Sequence, residues 1–410
     1  MRVLWFSVTP SLYDEKKYGG WIASLERIVR QHRKEIELGI AFEYDESEFK
    51  VTKNGVTYYP MNVSNTIKDR LVEKVDFEYK WKRVRIKMLK VIEDFKPDVI
   101  QCFGSEWLYG LITDYTDVPV VIHMQGFSNI YNESSELVYS DWEYIRCNHY
   151  NPKVAFTILT NKRKNEDSLA KERRLMQINK FFMGRTVWDR AIVENYSPEG
   201  KYFYCPEALR PEIYNAPKWN PKHSDTMRLV TITQAGTLKG NEIILRTARI
   251  LKEQFSFDFE WSVAGNTEAF GIAEKKTGIK HEKYNISLLG MIDADAVANT
   301  LEKSDAYIHP AIIDNSPNSL CEAQVVGCPV IAASVGGIAS LVEDGKTGVL
   351  YPYNEPHMLA FKIMKLKSER GIAQMISENE IKAATERHNP EKIYSYLLKI
   401  YNSIQTQKIK

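Results

Sequence analysis

Short apolar runs that alternate with amphipathic helical stretches constrain the fold of this chain more than any other feature of its sequence. Apolar side chains at Trp21, Ile22, Leu25, Ile28 and Val29 recur at helical spacing soon after a first strand-length run. Such alternation predicts parallel sheets with helices on both faces, and therefore an α/β fold. We predict strands at residues 3–6, 98–102, 118–124 and 180–183, and a second series at 229–233, 259–264, 286–289, 306–309, 329–333 and 348–351.

A polar stretch with two prolines, residues 215–225, separates the two series of strands. A chain of 410 residues, 44% of them hydrophobic, is long enough for two cores. We therefore predict two Rossmann-like doubly wound domains, over residues 1–214 and 226–385. The segment 386–410 follows the last predicted strand, and we expect it to form a C-terminal helix that returns to the first domain.

The overall charge and the cysteines argue against several classes of protein. A net charge of +2 lacks the basic excess of a dedicated nucleic-acid binder, so no nucleic-acid partner is expected. The five cysteines are scattered and form no Cys-x-x-Cys pair, which argues against a disulfide framework and a zinc site. The N-terminal apolar run is too short for a secretory signal, and we therefore expect a cytoplasmic protein.

Residues 314–352 carry the most specific pattern, DNSPNSLCEAQVVGCPVIAASVGGIASLVEDGKTGVLYP. An acidic residue, Asp314, and Glu322 are separated by seven residues, and a Gly-x-Pro-Val-Ile strand, a Gly-Gly turn and a Gly-x-x-Gly hairpin follow. The segment resembles the donor-binding signature of retaining GT-B glycosyltransferases of family four. The resemblance implies two facing domains, the first on the acceptor side and the second binding a nucleotide-sugar donor.

Residues around Pro317 predict an anion site at the start of a helix. Ser316 or Asn318 can cap a helix whose first turn Pro317 pre-organises. The backbone amides of Asn318, Ser319 and Leu320 would then point outward and bind the diphosphate of the donor.

The resemblance also implies roles for the two acidic residues. Glu322 would bind both hydroxyls of a ribose, and Asp314 would lie toward the transferred sugar as a catalytic residue. The sequence departs from the family pattern, because Asp314 replaces a glutamate and residues 315–317, Asn-Ser-Pro, replace Gly-Phe-Gly. Ser340 stands near the position of another common glutamate. These departures leave open an unusual sugar preference or a loss of activity.

The loop after residues 229–233 contains a second match, the pair Lys239 and Gly240. By resemblance, Lys239 is catalytic and binds the donor phosphates, and Gly236 on the same loop contacts the donor. An ammonium group there would stabilise the charge that grows on the leaving diphosphate. Gln234 stands beside the cleft roughly where the family has an arginine, so the site has one cation fewer.

Four residues of the first domain match family positions less specifically. Gly19 and Gly20 lie where the family has a glycine loop near the donor phosphates or the acceptor, and a plain tight turn explains them equally well. His123 ends the run VPVVIHM and by resemblance is catalytic at the reacting sugar, with a structural histidine as the alternative. Arg185 lies in FFMGRTVWDRAIVENY, which resembles a subgroup of bacterial polysaccharide-assembly transferases, and would border the cleft.

Several other polar residues have simpler interpretations. Asp293 and Asp295 have the Asp-x-Asp spacing of a metal site in another glycosyltransferase fold, but helix capping explains them better. Thr186 is likewise predicted to cap a helix, and Glu207 and Arg210 are secondary candidates for function. Neither a metal nor a cofactor is expected, because the arrangement implied by the family needs none.

Residues 79–90, YKWKRVRIKMLK, carry six basic side chains and no acidic one. This helical segment could rest on anionic lipid headgroups and hold the protein peripherally at the inner face of a membrane. A solvated helix face is the alternative interpretation.

The sequence as a whole predicts a metal-independent, retaining hexosyltransferase. It would move a sugar from a nucleotide-sugar donor to a glycan or lipid-linked acceptor in cell-surface polysaccharide synthesis, such as that of a capsule. Two alternatives stay open: a nucleotide-sugar epimerase on the same fold, which needs no acceptor, and a catalytically lapsed nucleotide-binding subunit. The chain lacks Gly-x-G-x-x-G and P-loop patterns, which weakens oxidoreductase and NTPase interpretations.

Overall fold

The structure, a computed structural model, describes residues 1–14, 20–45, 49–63, 66, 69, 72–73, 76, 78–220, 224–234 and 236–406. The chain divides into two compact units. The first unit contains Met1–Asn129, Leu159–Ala208 and His388–Lys410, and the second contains Ile130–Ile158 and Leu209–Arg387. Each unit has its own largely parallel sheet, which confirms the predicted class of two Rossmann-like α/β domains.

The strands, in chain order, are β1 (Arg2–Ser7), β2 (Glu37–Glu43), β3 (Val51–Lys53), β4 (Val56–Met61), β5 (Val99–Phe103), β6 (Val120–His123), β7 (Phe181–Gly184), β8 (Lys201–Tyr204), β9 (Met227–Thr233), β10 (Phe259–Gly265), β11 (Ile286–Gly290), β12 (Ala306–His309), β13 (Val330–Ala333) and β14 (Val349–Tyr351).

The α-helices are α1 (Trp21–Gln31), α2 (Tyr79–Phe95), α3 (Ser128–Val138), α4 (Asp141–Cys147), α5 (Pro152–Ile178), α6 (Val187–Tyr196), α7 (Pro211–Tyr214), α8 (Asn241–Glu253), α9 (Phe270–Thr277), α10 (Ala294–Lys303), α11 (Asn318–Val326), α12 (Pro356–Ser368), α13 (Arg370–Arg387) and α14 (Pro390–Gln405).

The sheet of the first unit has the order β3-β4-β2-β1-β5-β6-β7-β8. Its neighbours are parallel except β3 and β4, which form an antiparallel pair. The central strands β5, β6 and β7 are buried along their whole length, as expected for parallel strands covered on both faces. Helix α14 packs Ile393, Leu397 and Ile400 into the core of this unit.

Sequence analysis missed β2, β3, β4 and β8 of this sheet. Strand β2 contains Gly39, which weakens a strand pattern but fits here because a Cβ would lie 2.9 Å from the ring of Phe95. Strand β8 lies at the sheet edge, and its four residues are partly or fully exposed. An exposed edge strand of four residues carries no clear apolar period in the sequence.

The sheet of the second unit has the order β11-β10-β9-β12-β13-β14 and is wholly parallel. All six strands agree with the predicted positions to within two residues at each end. The order reverses at β9 and β12, so the loops that follow these two strands lie at the switch point where ligands of such sheets bind.

Two segments depart from the predicted domain division: residues 209–214, which lie in the second unit although they were predicted in the first domain, and a longer segment. Residues 130–158 were predicted in the first domain but belong to the second unit. Val138, Tyr139 and Cys147 of this segment form a small buried cluster against Leu238 and Ile272. We call residues 130–158 the inserted segment. Long-range packing, which the sequence pattern does not show, decides where it belongs.

Two predicted helix caps are confirmed. Thr186 accepts a hydrogen bond from the amide of Asp189 in a reciprocal capping box at the start of α6. Asp293 accepts from the amide of Ala296 at the start of α10, so the Asp-x-Asp pattern begins a helix. Among the described helices, none is both long and apolar enough to cross a bilayer.

Candidate functional site

Backbone contacts join the loops that follow β9 and β12 in the second unit. The amide of Ile312 donates to the carbonyl oxygen of Leu238 over 2.9 Å. Gly240 has a φ of 74°, and a Cβ there would lie 1.9 Å from the carbonyl oxygen of Pro310. Only glycine fits this close approach, so the Lys-Gly pair of the sequence is a structural junction that positions Lys239.

Lys239, Asp314 and His309 form a charged cluster at these loops. Nζ of Lys239 lies 2.8 Å from Oδ2 of Asp314, and Nε2 of His309 lies 3.4 Å from the same oxygen. Burial by itself raises the pKa of Asp314, but the Lys239 charge and the neighbouring His309 outweigh it and hold this pKa below its ordinary value. The charged cluster therefore presents an ionised carboxylate paired with an ammonium group.

The Gly-Gly turn of the signature packs against the backbone of Asp314. The amide of Gly337 donates to the carbonyl oxygen of Asp314 over 3.0 Å. Gly336 has a φ of 49°, and a Cβ there would lie 2.1 Å from that oxygen. The motif glycines thus fix the loop that carries the carboxylate.

Helix α11 begins differently from the sequence prediction. Pro317 is its N-cap residue and no side chain caps it, so the predicted cap by Ser316 or Asn318 is wrong. The amide of Leu320 donates to the carbonyl oxygen of Pro317 over 3.0 Å and is therefore not available to a ligand, contrary to its predicted role. The amides of Asn318 and Ser319 bond to no described backbone or side-chain acceptor, so these two amides are available to an anion.

Tyr307 links this helix start to the charged cluster. Its hydroxyl donates to Oγ of Ser319 over 2.8 Å and lies 3.2 Å from Nδ1 of His309. Sequence analysis recognised the strand that ends at His309 but gave this residue no role. The available signal was a histidine at the carboxyl end of a parallel strand, five residues before Asp314.

Glu322 and Arg210 form a bidentate ion pair in the second unit. Nε and a terminal nitrogen of Arg210 each lie 2.8 Å from a different carboxylate oxygen of Glu322. The Glu322 side chain is buried, and Arg210 stands directly before α7. The structure therefore unites the predicted ribose-binding residue with a secondary candidate, and the planar guanidinium fixes the carboxylate orientation.

The predicted residues on glycine loops are open to solvent or outside the described part. Gln234 and Gly236 are exposed on the loop after β9. A Cβ at Gly236, where φ is 132°, would meet no atom within 4 Å. Gly20 is the N-cap residue of α1 with a φ of 152° and similarly open surroundings. Gly19 lies outside the described residues.

His123 ends a neutral chain of buried polar groups in the first unit, formed with Trp5, Tyr401 and Gln101. Nε1 of Trp5 donates to the Tyr401 hydroxyl over 3.1 Å, and that hydroxyl donates to Oε1 of Gln101. Nε2 of Gln101 lies 3.1 Å from Nδ1 of His123. Because an indole N–H can only donate, the chain has one direction and Gln101 donates to Nδ1. The proton of the neutral imidazole is therefore on Nε2.

The surroundings keep the His123 ring uncharged. Burial lowers the pKa of His123 to about 3, and the Arg185 charge acts in the same direction, opposed by Glu207 and the backbone of Cys205. Its Nε2 is buried and makes no hydrogen bond to the described residues. The ring can thus donate one hydrogen bond without carrying a charge.

Arg185 and Glu207 lie near this histidine, and Arg185 lies over the ring of Trp21. The guanidinium carbon of Arg185 lies 5.2 Å from the centroid of the Trp21 ring, and that centroid is 4.9 Å from the centroid of the His123 ring. Nε of Arg185 lies 4.0 Å from Oε2 of Glu207, and both side chains are buried. The structure therefore brings together, within the first unit, three residues that were predicted separately: His123, Arg185 and Glu207.

Glu106, which sequence analysis did not single out, has a strongly shifted carboxyl group. It follows β5 and lines a cavity of about 170 Å³ in the first unit. Burial raises the pKa of Glu106 to about 7, and the charge of Glu172 acts in the same direction. No motif marks this residue, because its environment comes from elements distant in the sequence.

The basic helix α2 is partly neutralised by acidic side chains of the first unit. Arg85 lies over the ring of Tyr115, 4.2 Å from its centroid, and Lys87 and Lys90 are exposed. The ion pairs are Lys80 with Glu43 at 2.9 Å, Lys82 with Asp76 at 3.4 Å and Arg83 with Asp69 at 3.4 Å. For the paired basic residues of α2, these contacts favour the interpretation as a solvated helix face.

The sequence of the second unit matches a known family. The profile described as Glycosyl transferases group 1 matches residues 215–383, which include the charged cluster, the start of α11 and Glu322. Residues 215–383 are a glycosyltransferase group 1 domain. The resemblance at residues 314–352 is confirmed and extends over residues 215–383, which are the second unit apart from the inserted segment and a few residues at each end.

Curated relatives match over part of their length. The amylovoran biosynthesis glycosyltransferase AmsK of Erwinia amylovora is 24% identical over 209 residues, which are 49% of this chain and 50% of AmsK. The chain thus spans about half the length of this relative, and less of several others that it matches.

Solved structures match over nearly the entire chain. Sucrose-phosphate synthase from Thermosynechococcus elongatus superposes with a TM-score of 0.74 at 13% identity, covering 99% of both chains. Anabaena HepE, solved in complex with UDP-glucose, gives 0.64 at 14% identity, covering 99% of this chain and 100% of HepE. At such identities the likeness shows the fold, which is GT-B.

Proposed function

We propose that this chain is a retaining glycosyltransferase that moves a hexose from a nucleotide-sugar donor to a glycan or lipid-linked acceptor in cell-surface polysaccharide synthesis. The observation that carries the proposal is the charged cluster beside the two open amides at the start of α11. A lysine, a histidine and backbone amides together suit a diphosphate, whose negative charge increases as the sugar leaves. The name of AmsK and the UDP-glucose complex of HepE support the same class of reaction.

We propose the following donor contacts, all of them in the second unit. Glu322, oriented by Arg210, would accept hydrogen bonds from the two ribose hydroxyls. Asn318 and Ser319 would donate to the diphosphate, and Lys239 would neutralise it on breaking its contact with Asp314. UDP is the nucleotide that we expect, because HepE binds it in the same fold.

The chemical step that we propose breaks the bond between C1 of the sugar and the diphosphate oxygen. The acceptor hydroxyl oxygen forms the new bond to C1 on the same face, and its proton passes to the departing phosphate oxygen. Lys239 and the amides stabilise the diphosphate, so the step needs no metal. We propose that Asp314 orients the sugar and, as a separate assignment in the first unit, that the neutral His123 donates a hydrogen bond from Nε2 to a hydroxyl group of a substrate.

A lipid-linked acceptor would require access to a membrane surface. We propose that α2 supplies this contact through its exposed Lys87 and Lys90, since other basic side chains of the helix are paired within the first unit. Co-sedimentation with phosphatidylglycerol vesicles at low and high salt tests it. Equal binding at both salt concentrations, or none at low salt, would contradict it.

The donor assignment is tested by calorimetric titration with UDP, GDP, ADP, CDP and NAD, each with and without a chelator. We expect one nucleoside diphosphate to bind, with no effect of the chelator. Glu322→Gln should weaken this binding by about tenfold to a hundredfold, since hydrogen bonds to a charged acceptor are lost. Glu343→Gln, in the exposed turn before β14 of the same unit, is the matched control.

Turnover of the bound nucleotide sugar separates the proposal from its alternatives. A glycoside product formed with a cell-derived acceptor pool supports it. An isomerised donor without a glycoside would instead indicate an epimerase, and binding without any turnover would indicate a lapsed subunit. Binding of NAD alone, or of no nucleotide, would contradict all three.

A further inference from the structure

A cavity of about 680 Å³ lies within the second unit, between the inserted segment and the loop that follows β9. Its size is in the usual range for ligand sites, about 300–1,000 Å³. It borders the loop that carries Lys239 but is not lined by the charged cluster or by Glu322. Its lining includes Asp141, Tyr144, Asn148, Glu268 and Gly271.

Side-chain contacts hold the inserted segment in place, and the wall of the cavity is therefore formed without a ligand. The Tyr139 hydroxyl donates to the buried Glu242, and Nζ of Lys276 lies 4.0 Å from the centroid of the Tyr139 ring. Lys276 also donates to the carbonyl oxygen of Val138. These contacts fix one wall of the cavity against α8 and α9, so a ligand would not need to order it.

Gly271 is unexplained by backbone conformation or by packing. It is the second residue of α9, its φ is not in the left-handed region, and a Cβ there would meet no atom within 4 Å. Glycine within a helix costs about 1 kcal/mol relative to alanine. Gly271 lines the cavity, so the absence of a side chain at this position leaves more of the cavity volume open.

The lining side chains suit a neutral polyhydroxyl ligand. The carboxylates of Asp141 and Glu268, with the amide of Asn148, can bind adjacent hydroxyl groups in several directions. The ring of Tyr144 offers an apolar face to the C–H face of a sugar. Two carboxylates against the single lining ammonium group, that of Lys275, disfavour a second phosphate ligand.

We propose that this cavity binds a neutral sugar unit of the glycan acceptor, an inference that rests on the proposed glycosyl transfer. The acceptor would be held by the inserted segment against the same unit that binds the donor. Its recognition would therefore depend on a segment that the sequence had assigned to the other domain.

The test compares Gly271→Leu with Gly371→Leu. Gly371 is also the second residue of its helix, α13, is exposed, and has no atom within 4 Å of a built Cβ. The probes are the methyl glycosides of glucose, galactose, mannose and N-acetylglucosamine at millimolar concentration, observed by saturation-transfer NMR. Leucine at 271 should weaken the bound glycoside by about tenfold or more, because it fills the cavity, and leucine at 371 should not.

Separate outcomes distinguish this inference from the proposed function. UDP binding is measured on the same samples. Wild-type protein that binds UDP but none of the glycosides overturns the cavity assignment alone, as does equal glycoside binding by both leucine variants. Wild-type protein that binds no nucleotide overturns the proposed function. Gly271→Ala gives a further check, since it should raise the melting temperature while weakening glycoside binding.

Discussion

Both units contain buried ion pairs, but they differ in one arrangement of polar groups near the ends of their parallel strands. The second unit buries charges in pairs, in the charged cluster and in the bidentate pair of Arg210 and Glu322. The first unit ends its neutral chain at His123, whose pKa is lowered to about 3 by burial. A buried charge is costly unless it is paired, whereas a neutral group needs only its hydrogen bonds.

This difference affects which chemical groups of a ligand each unit can bind. Paired charges can exchange one partner for a charged ligand, so the second unit suits a diphosphate. A neutral donor can bind a hydroxyl group without attracting stray anions, so the first unit suits a sugar. The following changes test this contrast, beginning with the largest expected effect.

Lys239→Met removes the ammonium group from the charged cluster of the second unit and should have the largest effect. Loss of the ammonium group removes stabilisation of the leaving diphosphate, and we expect kcat for transfer to fall by about 100- to 1,000-fold. Steady-state kinetics with the donor identified by calorimetry measures it. Lys346→Met, in the exposed turn where Lys346 pairs with Glu343, is the matched control. An unchanged kcat in Lys239→Met would remove the catalytic assignment of this residue.

Glu106→Gln tests whether the pKa values of two enclosed carboxyl groups, those of Asp314 and Glu106, are shifted in opposite directions. The pKa of Asp314 is held low by its partners, but burial raises the pKa of Glu106 from 4.5 to about 7. A raised folded-state pKa means that the contribution to stability is complete below pH 4.5 and is lost as the pH rises through 7. The variant should therefore gain about 1–3 kcal/mol relative to wild type between pH 4.5 and pH 8.

Urea denaturation of both proteins at several pH values measures this gain. The sign is decisive, because a carboxylate stabilised by an ion pair would give the opposite trend. A stability difference that is the same at every pH would show that Glu106 titrates normally.

Tyr401→Phe tests the neutral chain and should have the smallest effect. Without the hydroxyl, Gln101 loses the donor that fixes its orientation, and the His123 proton is no longer confined to Nε2. We expect kcat to fall by about threefold to tenfold, the equivalent of one hydrogen bond, with an unchanged KM for the donor. Tyr396→Phe, at a partly exposed position of the same helix, serves as control. A change in KM alone would indicate a purely structural role.

Much of the second unit could be predicted because its signals are local. The strands from β9 to β14 are apolar runs, and the motif glycines reflect close contacts such as that of Gly336 with Asp314. The predicted helix start near Pro317 was right in location but wrong in detail, because a proline at the N-cap and the use of the Leu320 amide depend on the local backbone path.

The first unit was harder to predict because its interactions join distant parts of the chain. The contact of Trp5 with Tyr401 spans 396 residues, and neither residue belongs to a recognisable motif. The same is true of Glu106, whose pKa depends on burial by several elements. His309 had a usable signal, its place at the end of a strand, which went unused.

The sequence by itself determined the α/β class, the strands of the second unit and the acidic, lysine and glycine positions of its signature. These follow from periodicity and from backbone requirements within a few residues. Only the tertiary structure decided which unit holds the inserted segment, which side chains pair with Asp314 and Glu322, and which nitrogen of His123 carries the proton. Those properties depend on contacts between residues far apart in the chain, and a linear pattern does not record them.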